Sequence, residues 1–120
     1  MNWFKKAKKP STSTSKESFL PLKSITQLQE LISAEETFLV FKHSTRCSIS
    51  STAYSRVASS LAEFSKPVYL LDVISNRDVS NELEASSGIK HESPQLISFV
   101  DGKAVKSASH LSIHPNEFYS

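Results

Sequence analysis

Cysteine is almost missing from this chain, since Cys47 is the only one among 120 residues. A lone cysteine rules out a disulfide-stapled secreted scaffold and a thiolate-rich zinc site. Glycine is nearly as scarce. With Gly88 and Gly102 the only two in the chain, no Gly-rich phosphate loop can be built, and nucleotide cofactors are not expected. No apolar run approaches the roughly 20 residues that cross a bilayer. The strand-like segments lack an RNA-binding aromatic signature, so nucleic acid is not an expected partner. The residues Met1-Asn2-Trp3-Phe4-Lys5-Lys6-Ala7-Lys8-Lys9-Pro10 begin like a signal peptide but have no apolar stretch after the lysines. Export is therefore not expected, and a reducing cytoplasm is the natural setting.

What the chain does contain is one domain's worth of core, with 38% of its residues apolar. The net charge of +2 hides an asymmetry: Lys5, Lys6, Lys8 and Lys9 supply +4, and the remainder carries ten basic against twelve acidic residues. A short basic block beside Trp3 and Phe4 suits a membrane surface or nucleic acid, but most such blocks are solvated tails. Ser11-Thr12-Ser13-Thr14-Ser15-Lys16 has no apolar side chain to offset the entropy of ordering it. Residues 1–18 thus read as a basic, Ser/Thr-rich tail and 19–120 as the folded domain. No internal repeat is visible.

Within the domain, periodicity and turn chemistry give an order of elements. Ile25, Leu28, Leu31 and Ile32 share one helical face, with Ser24 as N-cap and Gln27 completing a capping box. Thr37 to Phe41 and Val68 to Ile74 are apolar without alternation, which suits strands covered on both faces. Between them Ile49, Ala53, Val57, Leu61 and Phe64 recur at helical spacing, so the segment is a right-handed strand-helix-strand unit with parallel strands. A further helix runs from Arg77 to Ser87, started at Asn76 and stopped by Gly88. After Pro94, Gln95 to Val100 and Lys103 to Lys106 flank Asp101-Gly102, a strong hairpin signal. Ser112 to Ser120 leaves room for one last helix. This is the element order of a thioredoxin-like α/β domain with a central mixed sheet of four strands or fewer flanked by helices.

In that order Cys47 falls between a strand and the first turn of a helix, facing unpaired backbone N–H groups and the positive end of the helix dipole. Both favour a thiolate, the form that does redox chemistry. Ser50 completes Cys47-Ser48-Ile49-Ser50, a C-x-x-S pattern whose second position is a hydroxyl. An intramolecular disulfide is impossible, so any redox cycle runs through a mixed disulfide. Arg46 places a permanent cation beside the sulfur.

Phe41-Lys42-His43-Ser44-Thr45-Arg46-Cys47-Ser48-Ile49-Ser50, with His91-Glu92-Ser93-Pro94-Gln95 and Met1-Asn2-Trp3-Phe4, resembles the monothiol bacilliredoxins of the thioredoxin superfamily. That family's motif is usually Thr-Cys-Pro-Ile-Ser; Cys47, Ile49 and Ser50 match it, and Arg46 and Ser48 depart from it. Ser48 restores an N–H that proline would remove and adds a hydroxyl. The resemblance implies a thiol-disulfide oxidoreductase that strips bacillithiol from protein mixed disulfides. It makes Cys47 the catalytic nucleophile, and it assigns the small thiol to Arg46, Ser48, Ser50, Ser93 and Pro94. Arg46 would pair with the carboxylates of the small thiol, and Ser50 would donate to the sulfur. In relatives a cis peptide before the hairpin proline, here Ser93-Pro94, presents backbone to the bound thiol. No bound cofactor is implied; bacillithiol is a co-substrate, the partners are bacillithiolated client proteins, and a monomer is expected. The alternative is a non-catalytic thioredoxin-like module whose cysteine is reversibly thiolated in binding or sensing.

The other titratable groups carry blander readings. His43 would need to reach the sulfur to act as a base. His91, His110 and His114 have no companions at metal-ligand spacing and read as surface groups, so no metal site is expected. Asp72 reads as a carboxylate in water at a strand end.

Overall fold

The computed structural model describes residues 18–120; the basic block and Ser11 to Lys16 lie outside the described residues. In chain order the elements are β1 (Leu20–Pro21), α1 (Ile25–Ser33), β2 (Phe38–His43), α2 (Ser48–Ala58), β3 (Val68–Asp72), α3 (Arg77–Ser87), β4 (Gln95–Val100) and β5 (Lys103–Ser109). Short 3-10 turns follow α2 at Leu61–Glu63 and end the chain at His110–Ser112 and Pro115–Phe118. The sheet has the order β1-β3-β2-β4-β5, parallel through β1, β3 and β2 and antiparallel from β2 outward through β4 and β5.

The lack of alternation in β2 has the cause the sequence suggests, because both faces of this central strand are covered. Phe38 and Val40 point into a core with Leu28 of α1, Val79 and Leu83 of α3, and Ile97 and Phe99 of β4. Leu39 and Phe41 point the other way, into a core with Ala53 and Val57 of α2, Phe64, Leu96, Ile113 and Phe118. Phe38 and Phe99 are ladder partners, and their rings stack 4.6 Å apart. All six strand residues except His43 are fully buried.

Local chemistry sets the ends of the elements. Ser24 Oγ accepts the N–H of Gln27 at 3.0 Å, and the Gln27 side chain accepts from Lys23 N and donates to Pro21 O, so the capping-box residue ties α1 back to β1. Gly88 ends α3 in the left-handed conformation at φ 75°. Asp101 and Gly102 both have positive φ, as a tight two-residue hairpin requires.

Two expectations are corrected. The sheet has five strands, because Leu20–Pro21 adds a two-residue edge; a pair of residues has no period to read, and Pro21 is tolerated only because an edge strand can spare an N–H. The C-terminal segment forms 3-10 turns in place of a helix. Pro115 interrupts it, and Ile113 and Phe118 anchor it by burial against α2 rather than by helical periodicity.

Gly102 also makes a close approach that a side chain would block: an added Cβ would lie 2.5 Å from the Ile32 carbonyl oxygen, whereas at Gly88 it would meet nothing within 4 Å. Gly88→Ala is expected to cost about 1 kcal/mol, the left-handed conformation alone. Gly102→Ala is expected to cost about 2–3 kcal/mol, since strain and collision add. Urea denaturation of the two variants reads the difference directly; equal losses would remove the collision from the account.

Candidate active site

The site is built where β2 hands over to α2. At the end of the strand Ser44 starts a tight turn, closed by the Cys47 N–H donating to the Ser44 carbonyl at 3.2 Å. Cys47 is the N-cap of α2, in extended conformation (φ −118°, ψ 124°), and its side chain makes no capping bond. Its carbonyl accepts the first helical bond, from Ser51 N at 3.1 Å. The sulfur is therefore carried at the helix start on a partly exposed residue, where the first-turn amides have no intrahelical acceptors. Thr45, Arg46, Ser48 and Ile49 around it are exposed or half-exposed, Ile49 at 41%.

Ser50 differs from its neighbours in being fully buried. Its Oγ accepts the N–H of Ser44 at 2.9 Å and lies 2.7 Å from His43 Nδ1. The sequence reading lent this hydroxyl to the sulfur; the bonds it makes go to the end of β2. Ser50 thereby pins the turn Ser44 to Cys47 between strand and helix. His43 follows Leu39 and Phe41 on the α2 face of the strand, which is why its ring meets a residue on the first turn of α2. That ring stacks on Phe41 at 5.9 Å and packs at a tilt against Tyr54 at 4.8 Å. Burial among these rings holds the imidazole pKa below its ordinary 6.5, with the Asp72 carboxylate opposing the shift. In the neutral tautomer whose Nδ1 carries no proton, Ser50 O–H donates to Nδ1 while its oxygen accepts from Ser44 N–H, so one hydroxyl can serve both neighbours at once.

The second wall comes from the loop before β4. The β2–β4 register pairs Lys42 with Gln95, and continuing it sets Pro94 opposite His43 and Ser93 opposite Ser44, where the turn to Cys47 begins. The Ser93-Pro94 peptide is cis, and Pro94 is buried while Ser93 is half-buried. The sheet thus brings the segments carrying Cys47 and Ser93-Pro94, far apart in sequence, to the same end. Arg46 and Ser48 flank the cysteine on the open side.

Asp72 stands as expected, half-exposed at the last position of β3, where Oδ1 accepts from Ile74 N at 3.0 Å and Ser75 N at 3.2 Å to close a turn. His110 and His114 are exposed, but His91 is half-buried with Nδ1 3.2 Å from Ser80 Oγ, so it is a packed residue rather than a surface group. Among the described residues there is no group of three or more His, Cys, Asp or Glu placed to hold a metal ion. None of their helices is long and apolar enough to cross a membrane.

This arrangement has known counterparts. A family model for monothiol bacilliredoxins matches residues 20–118. The chain belongs to the monothiol bacilliredoxin family. It is also similar to a solved protein described as a candidate oxidoreductase with a thioredoxin fold, at 35% identity and a TM-score of 0.73, over 81% of this chain and 87% of that one. More distant is a point-mutant thioredoxin from Halobacterium salinarum, 17% identical with a TM-score of 0.68, covering 88% of this chain and 95% of that one. Thioredoxin from Trypanosoma brucei brucei is 15% identical with a TM-score of 0.66, covering 78% and 80%. These two establish the fold, which is thioredoxin-like, and the family places the chain among thiol-disulfide oxidoreductases.

Two outcomes follow for the His43–Ser50 pair. Ser50→Ala strips a partner from Ser44 N and from His43 Nδ1, and is expected to lower stability by about 1–3 kcal/mol in denaturant unfolding. Because His43 titrates lower in the fold than its unfolded value of 6.5, the unfolded chain takes up its proton first as pH drops. Stability from this group is complete above pH 6.5 and declines below it. His43→Gln should flatten that acid-side decline in a series of unfolding curves; a profile identical to wild type would exclude the assignment.

Proposed function

We propose that this protein removes bacillithiol from client proteins that carry it as a mixed disulfide, using Cys47 as a monothiol nucleophile. One observation carries the reading: the helix-start cysteine is partly exposed, while the position that would hold a resolving thiol is Ser50, buried and bonded to His43 and Ser44. A sulfur so placed can enter a mixed disulfide but cannot be cleared from within the chain. In the first step the Cys47 thiolate attacks the bacillithiol sulfur of the mixed disulfide. A new S–S bond joins Cys47 to bacillithiol, the old S–S bond breaks, and the client leaves as a thiolate that takes a proton from solvent. In the second step the thiolate of another low-molecular-weight thiol attacks the bacillithiol sulfur on Cys47, producing a small-molecule disulfide and returning the Cys47 thiolate.

The surroundings support each step. When Cys47 is the leaving group, negative charge collects on a sulfur at the amino end of an eleven-residue helix, where the dipole and unpaired amides attract an anion. Exposed Arg46 is free to meet the carboxylates of the small thiol. Ser48 leaves an N–H at the first helical position that a proline would remove. Ser93, level with Ser44 in the extended register, is the backbone that by family resemblance faces the bound thiol. Bacillithiol enters as a co-substrate, and the cytoplasm, where such thiols are kept reduced, is the compartment this chemistry needs.

Incubation of wild-type protein with a bacillithiolated client is expected to strip the client and leave one bacillithiol adduct on Cys47, removed in turn by a second thiol; intact-protein mass spectrometry follows both. Cys47→Ser is expected to show neither event. Removal by the Cys47→Ser variant, or an adduct on Cys47 that no thiol clears, would sink the catalytic reading.

A further inference from the structure

Lys42 is the one residue of β2 that is neither an apolar core residue nor hydrogen-bonded to the site through its side chain. The pleat of the strand sends it to the same face as Phe38 and Val40, toward α1 and α3 and away from Cys47's helix. It is 0% exposed, and Nζ is buried with no hydrogen-bond partner among the described residues. An ammonium buried without a partner opposes folding. It is a poor choice for a position where methionine or leucine would continue the core.

What surrounds it is the loop that leads to Ser93 and Pro94. Residues 90–93 make no ladder bonds and are tied down by side chains alone. His91 N donates to Glu84 Oε2 at 2.9 Å, Ser80 Oγ meets His91 Nδ1 at 3.2 Å, and Gln95 clamps the loop by donating to Lys90 O and accepting from Glu92 N. Gln95 is the ladder partner of Lys42. Ser93 Oγ, in the same loop, is a second buried polar atom without a partner among the described residues. The charged and titratable groups within electrostatic reach of Nζ are Glu84 of α3 and Glu92 and His91 of the loop; the Glu92 carboxylate is also held from the other side by a hydrogen bond from Ser109 of β5 and by the charges of His110 and Lys90, and Arg77 faces His91.

We propose that Lys42 is a positioning residue, a buried counter-charge that draws the loop bearing Glu92 and Ser93 against the end of β2, level with the turn that presents Cys47. Its functional consequence rests on the exchange reading above; the structural one does not. Burial lowers the Lys42 pKa to about 8, with Glu84 and Glu92 holding it up. The counter-charge is therefore present at neutral pH and fades as pH rises through about 8. The same numbers fix the sign for stability. Between about 8 and 10.5 the unfolded chain binds the proton that the fold has given up, so folding becomes more favourable with rising pH in that window. Lys42 thus weakens the fold at neutral pH while ordering one loop, the pattern of a residue kept for function.

Lys42→Met in the full chain tests this. The variant is expected to melt at the same temperature as wild type or higher, while amide hydrogen exchange at His91, Glu92 and Ser93 speeds up roughly tenfold. Its rate against a bacillithiolated peptide should fall about tenfold near neutral pH. The two proteins should converge above about pH 9, where wild-type Lys42 is itself neutral. In wild type alone, the Glu92 and Ser93 amide resonances should titrate with a midpoint of about 8. Unchanged loop exchange in the variant, a wild-type to variant rate ratio constant across the pH range, or loop resonances that do not titrate would each overturn the proposal. Failure of the wild type to react with the peptide at all would count against the exchange reading and leave the loop measurements to decide the role of Lys42.

Discussion

The pleat of β2 under two covering layers is the constraint on which the rest depends. With α1 and α3 on one face and α2 on the other, every residue from Phe38 to His43 is assigned a side, and a slip of one position would turn the aromatic residues of each core into the other. The assignment continues past the hydrophobic run. His43 falls on the α2 side, where it meets Ser50, and Lys42 falls on the α3 side, where it faces Glu84 and the loop before β4. The two polar residues nearest the sulfur in the strand thus control its two walls, one by a hydrogen bond and the other by charge. Cys47 needs no side-chain contact of its own to be placed, because the chain on either side of it is fixed.

Much of this was legible from residue types. The strand-helix-strand unit followed from the spacing of Ile49, Ala53 and Val57 between two apolar runs, and the hairpin followed from Asp101-Gly102. Covered strands lack alternation, and tight turns demand positive φ; both leave marks on a sequence. What stayed hidden had no mark to leave. Leu20–Pro21 becomes a strand only because β3 offers an unpaired edge, and the C-terminal turns are set by where Ile113 and Phe118 can be buried. Pairing across the sheet joins Gln95 to Lys42 over more than fifty residues of chain, and no local pattern announces it.

The site divides along the same line. Cys47 at a helix start was visible, since strand and helix periods meet there. The partner of Ser50 was not, although a signal existed: extending the alternation Leu39, Phe41 by one step puts His43 on the face that α2 covers. The burial of Lys42 leaves no mark in the sequence either, because lysine is almost never fully buried. Only a structure distinguishes a lysine that leaves the sheet into water from one that stays beneath a loop.

The hydroxyl at position 50 bears on how the chemistry is paced. A thiol there would sit in the same buried place, three residues along the helix, and would compete for the mixed disulfide on Cys47 from inside the protein. A serine cannot, and its own bonds to His43 and Ser44 keep the turn rigid while an adduct is present. In the proposed cycle the lifetime of the adduct would depend on the second thiol reaching a sulfur whose exposed neighbours are Arg46, Ser48 and Ile49. Clearance in that cycle would be a bimolecular step governed by the concentration and charge of that thiol, with the protein holding the disulfide open to attack at the end of a helix. On that reading the exposed Arg46 guanidinium would speed the approach of an anionic thiol, an effect that weakens as salt screens it. The strand end, through His43 and Ser44, sets the geometry in which Cys47 is presented.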